Sequence, residues 1–233
     1  MSLLVSVENV SLSYPTTIAS LAKREDKLAL SEINLKLKGG DRLALVGLNG
    51  SGKSTLLRTI AGIYKPQQGS VSVNGTVSAL FNLGIGMRMD LTGRKNIILQ
   101  GMVNGQTRDE IDALLPEIIA FSELEHVIDD PIHTYSQGMA MRLSFSIATA
   151  IKPDVLLLDE WIGAGDRVFR EKANTRLLEM VQDSGGLVLA SHNTTIVRKY
   201  CNKAIWLNEG KISASGDVEN VLAAFIEGTT RPI

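Results

Sequence analysis

The chain has 233 residues, of which 44% are apolar and 21% are charged, and its formal net charge is −1. This balance is sufficient for a buried core and gives no reason to expect a nucleic acid partner or a strongly basic membrane-binding face. The single cysteine, Cys201, excludes an intrachain disulfide and fits a reducing compartment. We see no signal peptide and no apolar run of the ~18 residues that a membrane span needs, so we expect a soluble or peripheral protein.

The first third of the chain predicts mostly strands. "LVSVENVSLSY" alternates as a strand does, whereas residues 16–30 look irregular or weakly helical. "SEINLKLKGGDRLALVG" predicts a strand, a turn at Gly39 and Gly40, and a buried strand that ends at Gly47. A short amphipathic helix follows in "KSTLLRTIAGI". Asn74-Gly75 predicts a hairpin turn between two short strands.

The rest of the chain predicts a helical block and then alternating strands and helices. Residues 92–150 have a helical period, with Pro116 and Pro131 as breaks. "DVLLLD" and "GLVLAS" are apolar runs typical of central parallel strands covered on both faces. A hairpin with its turn at Glu209-Gly210 and a closing helix, "VENVLAAFIEG", complete the pattern. The sequence therefore predicts an α/β fold with a strand-rich edge, a parallel centre and an inserted helical block.

A phosphate-binding loop lies between the buried strand and the first helix. Its eight residues, 47–54, match the pattern G-x-x-x-x-G-K-[ST]. This pattern suits phosphate because glycines let successive backbone N–H groups point at phosphate oxygens, and the helix N-terminus adds positive potential. We expect Lys53 to reach the β- and γ-phosphates and Ser54 to bind Mg²⁺. The predicted nucleotide-binding residues of this loop are Gly47, Asn49, Gly50, Ser51, Gly52, Lys53, Ser54 and Thr55.

Two acids end the apolar run "VLLLDE". Asp159 and Glu160 would lie at the carboxyl end of a central strand, where α/β sheets bind their ligands. Beside a phosphate-binding loop, Asp159 suits the second protein ligand of Mg²⁺, and Glu160 can polarise the water that attacks the γ-phosphate.

A second candidate anion site begins at Ser136. Ser136 is a good helix N-cap, but Gly138 in the first turn costs about 1 kcal/mol relative to alanine. A glycine at a helix N-terminus permits the close approach of an anion. Because one nucleotide is already wrapped by residues 47–55, we expect two chains to form a twofold dimer in which each nucleotide contacts both copies.

These motifs resemble the nucleotide-binding subunit of ABC transporters over nearly the whole chain. "YSQGM" lies where that family has its LSGGQ signature. The resemblance implies a P-loop NTPase (RecA-like) core with an antiparallel β edge subdomain, at about 1–91 and 152–233, and an α-helical subdomain at about 92–151. Together they would form a single ABC ATPase domain.

The resemblance also assigns roles to single residues. It implies that Ser136, Gln137 and Gly138 contact the γ-phosphate of ATP bound to the partner copy. It places the D-loop aspartate at Asp166 and the switch histidine, a catalytic residue with Glu160 and Lys53, at His192. Tyr14 would stack on the adenine.

Within the family, the chain resembles the subgroup that exports polysaccharides such as O-antigen, capsule or teichoic acid. The resemblance to this subgroup rests on three segments. They are the signature sequence "YSQGM" followed by "RLSFSIATA", the D-loop region "DEWIGAGDRVFREK" and the stretch "VSALFNLGIGMRMDLTGRKNI". One feature departs from the family: the Q-loop glutamine is absent. Without gaps its position falls at Leu83, and Asn82 beside it is the residue that could supply an amide.

The resemblance implies an ATP-hydrolysing subunit that uses ATP and Mg²⁺ at the cytoplasmic face of the inner membrane. Its partners would be an integral membrane permease carrying a lipid-linked polysaccharide and a second copy of itself, with no nucleic acid. The chain ends at Ile233, so we expect no C-terminal carbohydrate-binding domain. Two alternatives stay open: another cargo, such as teichoic acid, capsule or a small solute, and a soluble ABC ATPase with no transport role.

Overall fold

The computed structural model describes residues 2–15, 27–81, 83–84, 86–160 and 167–230. The chain divides into two compact units. The first unit comprises Met1–Ala79, Pro153–Trp161 and Ser184–Ile233, and the second comprises Leu80–Lys152 and Ile162–Asp183. The predicted helical subdomain, about 92–151, falls within the second unit. That unit also includes residues 80–91 and a further helix.

The described residues form nine strands and seven α-helices. The strands are β1 Leu3–Tyr14, β2 Lys27–Lys38, β3 Arg42–Val46, β4 Gln68–Val73, β5 Val77–Leu80, β6 Val155–Asp159, β7 Gly186–Ala190, β8 Lys203–Asn208 and β9 Lys211–Asp217. The helices are α1 Lys53–Ile60, α2 Gly93–Val103, α3 Arg108–Ser122, α4 Gln137–Ala148, α5 Arg167–Asp183, α6 Thr194–Tyr200 and α7 Val218–Thr230. No helix in these described ranges is both long and apolar enough to span a membrane.

Two sheets build the first unit. One is antiparallel, in the order β2-β1-β4. The other has the order β5-β6-β7-β3-β8-β9; within it β6, β7, β3 and β8 run parallel and β9 runs antiparallel to β8. The apolar runs of β3, β6 and β7 are buried, as continuous hydrophobic strands in parallel sheets are. Because these three strands are neighbours and parallel, the residues that follow them meet at one edge of the sheet.

The hairpin predicted at Asn74-Gly75 is wrong, although both strands exist. β4 pairs with β1 in the antiparallel sheet, whereas β5 lies beside β6 in the parallel sheet. The carboxylate of Asp154 accepts hydrogen bonds from the backbone N–H of Thr76 at 2.7 Å and from its hydroxyl at 3.0 Å. The N–H of Val155 donates to the Thr76 carbonyl at 3.0 Å. These contacts hold the chain after Gly75 beside β6, so it does not turn back along β4.

Two other local predictions have mixed outcomes. Residues 27–30 belong to strand β2 and not to an irregular segment, while residues 16–26 lie outside the described residues. The hairpin at Glu209-Gly210 is confirmed: β8 and β9 pair across it, and both turn residues have positive φ, 47° and 76°. Positive φ at both positions matches the twist of two-residue hairpins.

The second unit is helical, and α2, α3 and α4 begin at polar caps. Thr107 and Glu110 form a capping box at the start of α3, and the side chains of Thr92 and Ser136 cap α2 and α4. Pro116 was expected to break the helix, but α3 continues through it. Ile118 and Ile119, which lie just after Pro116, pack into a core with Ile97 of α2 and Leu143 of α4. This burial offsets the backbone hydrogen bond that a proline lacks.

Candidate active site

The loop after β3 can be built only with glycine at two positions. Gly47 has φ 151°, and a Cβ there would lie 2.2 Å from the Leu207 carbonyl oxygen. Gly52 has φ 107°, and its Cβ would lie 2.7 Å from the Ala29 carbonyl oxygen. Both the backbone conformation and the lack of space therefore exclude side chains. The loop closes tightly and delivers the chain into α1 at Lys53.

Lys53 lies inside this loop. Its side chain is buried, with 7% of its surface exposed. Its Nζ donates hydrogen bonds to the carbonyl oxygens of Gly47 at 2.7 Å and Leu48 at 3.0 Å. Burial lowers the pKa of Lys53, and the nearby charges of Glu160 and Asp159 oppose that shift. The ammonium group is therefore fixed at the loop, where the negative charges of Glu160 and Asp159 favour its protonated form.

The loop has the donor groups that a phosphate needs. The Ser51 hydroxyl is buried, and among the described residues its oxygen has no hydrogen-bond partner. Gly50 has open space around it, and α1 begins without a side-chain cap for its first N–H groups. An unpaired buried hydroxyl and uncapped N–H groups are costly unless a ligand satisfies them. The residues present therefore fit an acceptor-rich anion such as a nucleotide phosphate.

The same edge carries oxygen ligands that suit Mg²⁺. Ser54 is in the first turn of α1 and Asp159 ends β6, and both are partly exposed. In the described ranges no cluster of three or more His, Cys, Asp or Glu side chains could hold a metal by itself. One hydroxyl and one carboxylate suit Mg²⁺ that completes its octahedron with phosphate oxygens and water.

Tyr14 contacts helix α1. Its hydroxyl is 3.1 Å from the Oγ1 of Thr55, two residues beyond Lys53. Its ring packs edge-to-face on Tyr64, with centroids 5.8 Å apart and planes at 80°. Burial raises the pKa of the Tyr14 hydroxyl. The structure thus joins two sequence-predicted residues, Tyr14 and Thr55, and fixes the orientation of the tyrosine ring.

Glu160 is held by the segment that follows β7. It has φ 67°, and its N–H donates to the Ala190 carbonyl at 2.8 Å. Its Oε1 accepts a hydrogen bond from the backbone N–H of His192 at 3.0 Å, and the His192 Nε2 lies 3.8 Å from the same oxygen. The two side chains are 49% and 50% exposed, respectively. The predicted pair is therefore adjacent, and both side chains remain accessible to a substrate.

Sequence reasoning missed Ser191. Its hydroxyl donates to the Oε2 of Glu160 at 2.9 Å, although the two residues are 31 positions apart. Serine at the end of an apolar strand carries no charge and matches no motif, so the residue itself gave no signal. Its position directly before His192 was the available signal, because the carboxyl ends of adjacent parallel strands meet.

The signature segment lies in the second unit and is exposed. Ser136 accepts a hydrogen bond from the Met139 N–H at 3.2 Å, as its N-cap role predicts. Ser136, Gln137 and Gly138 all face solvent. A Cβ on Gly138 would meet only the Ser136 Oγ, at an ordinary 3.9 Å, and its φ is not in the left-handed region. Nothing in the described chain requires glycine there.

Two predicted residues, Asn82 and Asp166, lie outside the described residues. Their assignments as the Q-loop amide and the D-loop aspartate stay predictions.

The chain matches the family model described as ABC transporter over residues 30–163. It is 42% identical over 184 residues to an O-antigen export system ATP-binding protein of Yersinia enterocolitica, covering 79% of this chain and 77% of that one. It is 36% identical over 236 residues to a teichoic acids export ATP-binding protein of Staphylococcus haemolyticus, covering 97% and 89%. It spans 46% of an O-antigen export system ATP-binding protein of Myxococcus xanthus that is 42% identical.

A solved structure supports the fold. A dimeric ATP-binding cassette in a post-hydrolysis state, bound to ADP and Pi, superposes with a TM-score of 0.71, covering 92% of this chain and 99% of that one. At 23% identity this likeness concerns the fold alone. It agrees with the predicted α/β P-loop NTPase class. On the family match and the relatives above, the chain belongs to the ABC transporter family, as a subunit of its ATP-binding, ATP-hydrolysing type.

Proposed function

We propose that this ATPase drives a separate membrane permease that exports a lipid-linked polysaccharide such as O-antigen. The cargo class rests on the relatives, which are named as O-antigen and teichoic acid export proteins and align with most of this chain. The protein would act as a peripheral subunit at the cytoplasmic face of the inner membrane. This follows from its role, because ATP is supplied on that side.

The phosphate loop would hold the nucleotide. Backbone N–H groups of residues 47–55 and the Lys53 ammonium would bind the β- and γ-phosphates, and Tyr14 would stack on the adenine. Ser54 and Asp159 would hold Mg²⁺, which supplies charge neutralisation on the phosphate oxygens when bound. Each of these residues belongs to the first unit.

Glu160 would act on the attacking water. In the reaction ATP and water give ADP and phosphate, so a proton must leave the water as its oxygen bonds to phosphorus. An exposed carboxylate at the edge of the site, fixed by its neighbours, can accept that proton. His192, adjacent to Glu160, would donate to the γ-phosphate and help orient it.

The single observation that supports a head-to-tail dimer is the exposed glycine of the signature segment, Gly138. Gly138 is required neither by its φ nor by any contact in the described chain. In a helix it is unfavourable, so its explanation lies outside this chain. A head-to-tail dimer, in which Ser136, Gln137 and Gly138 contact the γ-phosphate held by the partner copy, gives that explanation.

The Glu160→Gln variant tests the mechanism. Glutamine keeps the size of the side chain but does not accept the proton, so ATP should bind and remain unhydrolysed. Gel filtration with saturating ATP and Mg²⁺ should then show a dimer, and omission of Mg²⁺ or ATP should return the monomer. A variant that stays monomeric under saturating ATP and Mg²⁺ would contradict the head-to-tail mechanism.

Reconstitution with the membrane partner tests the cargo. The protein should co-purify from membranes with a polytopic permease, and in proteoliposomes lipid-linked O-antigen should stimulate ATP hydrolysis. Stimulation by lipid-linked teichoic acid instead would support the second candidate, which the 36% identity to a teichoic acid exporter over 89% of its length favours. Co-purification with a ribosome or nucleic acid, and no permease, would overturn a transport role.

A further inference from the structure

The hydroxyl of Ser191 is placed and oriented by the fold. Ser191 directly follows β7, and only 2% of its surface is exposed. Its backbone N–H donates to the Leu45 carbonyl of β3 at 3.3 Å, which ties it to the central strands. Its Oγ is 3.1 Å from the backbone nitrogen of Asn193 and 2.9 Å from the Oε2 of Glu160. A small polar group is thus buried with a partner on each side.

The direction of these two hydrogen bonds is determined by their chemistry. The Asn193 backbone N–H can only donate, so the Ser191 Oγ accepts from it. A hydroxyl has one proton, and the remaining neighbour is a carboxylate oxygen, which accepts when ionised. The Ser191 proton is therefore committed to Glu160.

Glu160 is consequently held at both carboxylate oxygens by the segment after β7. Oε2 accepts from the Ser191 hydroxyl and Oε1 from the His192 N–H. A carboxylate has about four acceptor positions, so each oxygen keeps a lone pair that can receive a proton from water. The two bonds restrict the side chain but leave its basic function intact.

We propose that Ser191 is a positioning residue for ATP hydrolysis, which orients the Glu160 carboxylate toward the attacking water. This inference rests on the proposed role of Glu160 as the base. An exposed glutamate has several rotamers, and a base must lie within about 0.5 Å of its productive position. The Ser191 hydroxyl supplies the side-chain contact that removes this freedom.

The test compares Ser191→Ala with Ser191→Thr in steady-state ATPase assays with Mg²⁺. Alanine removes the donor, and kcat is expected to fall about 10- to 100-fold while KM for ATP stays within about twofold, because the phosphate loop is untouched. Threonine keeps a hydroxyl on Cβ and is expected to recover most of kcat. On a Glu160→Gln background, Ser191→Ala should cause no further loss and should still permit the ATP-dependent dimer.

Asn193→Ala is the matched control for a merely structural role. The Asn193 side chain caps α6 by accepting from the N–H groups of Thr195 and Ile196, and within the described part of the chain it forms no hydrogen bond with Glu160. Alanine removes this cap but keeps the backbone N–H that donates to Ser191. It should lower the thermal midpoint and leave kcat within about twofold, since a lost cap weakens the helix alone.

Several results would overturn the inference. One is an unchanged kcat in Ser191→Ala of a wild-type enzyme that hydrolyses ATP, and another is an equal loss in Asn193→Ala. Loss of the ATP-dependent dimer when Ser191→Ala is added to Glu160→Gln would show that Ser191 acts elsewhere. If the wild-type protein releases no phosphate from Mg-ATP, the proposed function itself fails, and the positioning role fails with it.

Discussion

The two glycine-bearing phosphate elements of this molecule differ in why they contain glycine. In the phosphate loop, Gly47 and Gly52 have positive φ, and a side chain would collide with backbone atoms of the same chain. In the signature segment, Gly138 has neither constraint. The first element is explained completely by its own fold. No contact in the described chain requires the second, and the proposed site shared between two copies would account for it.

This difference provides a criterion for separating structural glycines from binding glycines. A glycine whose Cβ would clash within its chain is needed for folding, and its substitution should reduce stability. A glycine with open space and ordinary φ is needed for a ligand or partner, and its substitution should reduce function while leaving stability equal or higher. The following variants test the two halves of the comparison in order of expected effect.

The largest effect is expected at the centre of the phosphate loop. Lys53→Ala removes the buried ammonium that binds two loop carbonyls and faces Asp159 and Glu160. Phosphate release should fall about 10³-fold or more, because the charge of the transferred phosphoryl group is no longer compensated. Lys65→Ala, which changes an exposed lysine of the same unit, should have no effect on turnover. Unchanged turnover in Lys53→Ala would contradict the assignment of this loop as the nucleotide-binding site.

The next effect separates the two kinds of glycine directly. Gly138→Ala should lower ATPase activity about 100-fold, because a methyl group obstructs the partner's phosphate. It should raise the free energy of unfolding by about 0.5–1 kcal/mol, because alanine is the better helix former. Steady-state kinetics and thermal unfolding measure the two effects on one preparation.

Gly93→Ala is the matched control for that variant. Gly93 also lies in the first turn of a helix and has no positive φ, but its Cβ would lie 2.5 Å from the Tyr135 hydroxyl. It should lower the thermal midpoint by several degrees, whereas Gly138→Ala should not. Equal destabilisation by the two variants would break the comparison.

A smaller effect is expected at Tyr14, the residue proposed to stack on the adenine. Tyr14→Ala should raise KM for ATP about tenfold with little change in kcat, because stacking on a base contributes ~1–3 kcal/mol. Tyr14→Phe keeps the ring and loses only the hydroxyl contact to Thr55, so KM should change by less than about threefold. If phenylalanine costs as much as alanine, the hydroxyl contact is the important one and the stacking role is wrong.

The sequence predicted best what is local. The phosphate loop, the Ser136 cap of α4 and the hairpin at Glu209-Gly210 each involve residues within a few positions of one another. Their backbone conformations follow from glycine, proline and capping preferences alone. The apolar runs of β6 and β7 also predicted central parallel strands, because a strand buried on both faces has apolar residues at nearly every position.

The failures concern contacts between distant residues. Asn74-Gly75 has the sequence of a hairpin turn, but Asp154, which binds Thr76 from 78 positions away, directs the next strand to another sheet. Ser191 was missed because its contact with Glu160 depends on the pairing of β6 with β7. Gly138 is the opposite case: a glycine in the first turn of a helix was conspicuous in the sequence, and no contact in the described chain requires it.

The smallest effect on activity is expected from Asp154→Ala, which lies in neither phosphate element and so separates stability from turnover. The variant removes the carboxylate that accepts two hydrogen bonds from Thr76 and should lower the free energy of unfolding by about 1 kcal/mol at pH 7, a modest value because the group is exposed. Backbone and side-chain hydrogen bonds from Thr76 hold the pKa of Asp154 below its usual value. The stabilisation is therefore complete above about pH 4, the ordinary aspartate range, and is lost as the pH falls through the lower folded-state pKa.

Urea unfolding of the wild type and of Asp154→Ala should accordingly differ at pH 7, and the difference should shrink as the pH falls below about 4, while phosphate release at pH 7 stays equal. A difference that does not change with pH would assign the loss to packing around Gly75 and not to the carboxylate charge. A fall in turnover together with stability would indicate that general loosening of the first unit impairs hydrolysis. The losses expected from Gly138→Ala, which keeps its stability, would then stand apart as a defect of the shared site alone.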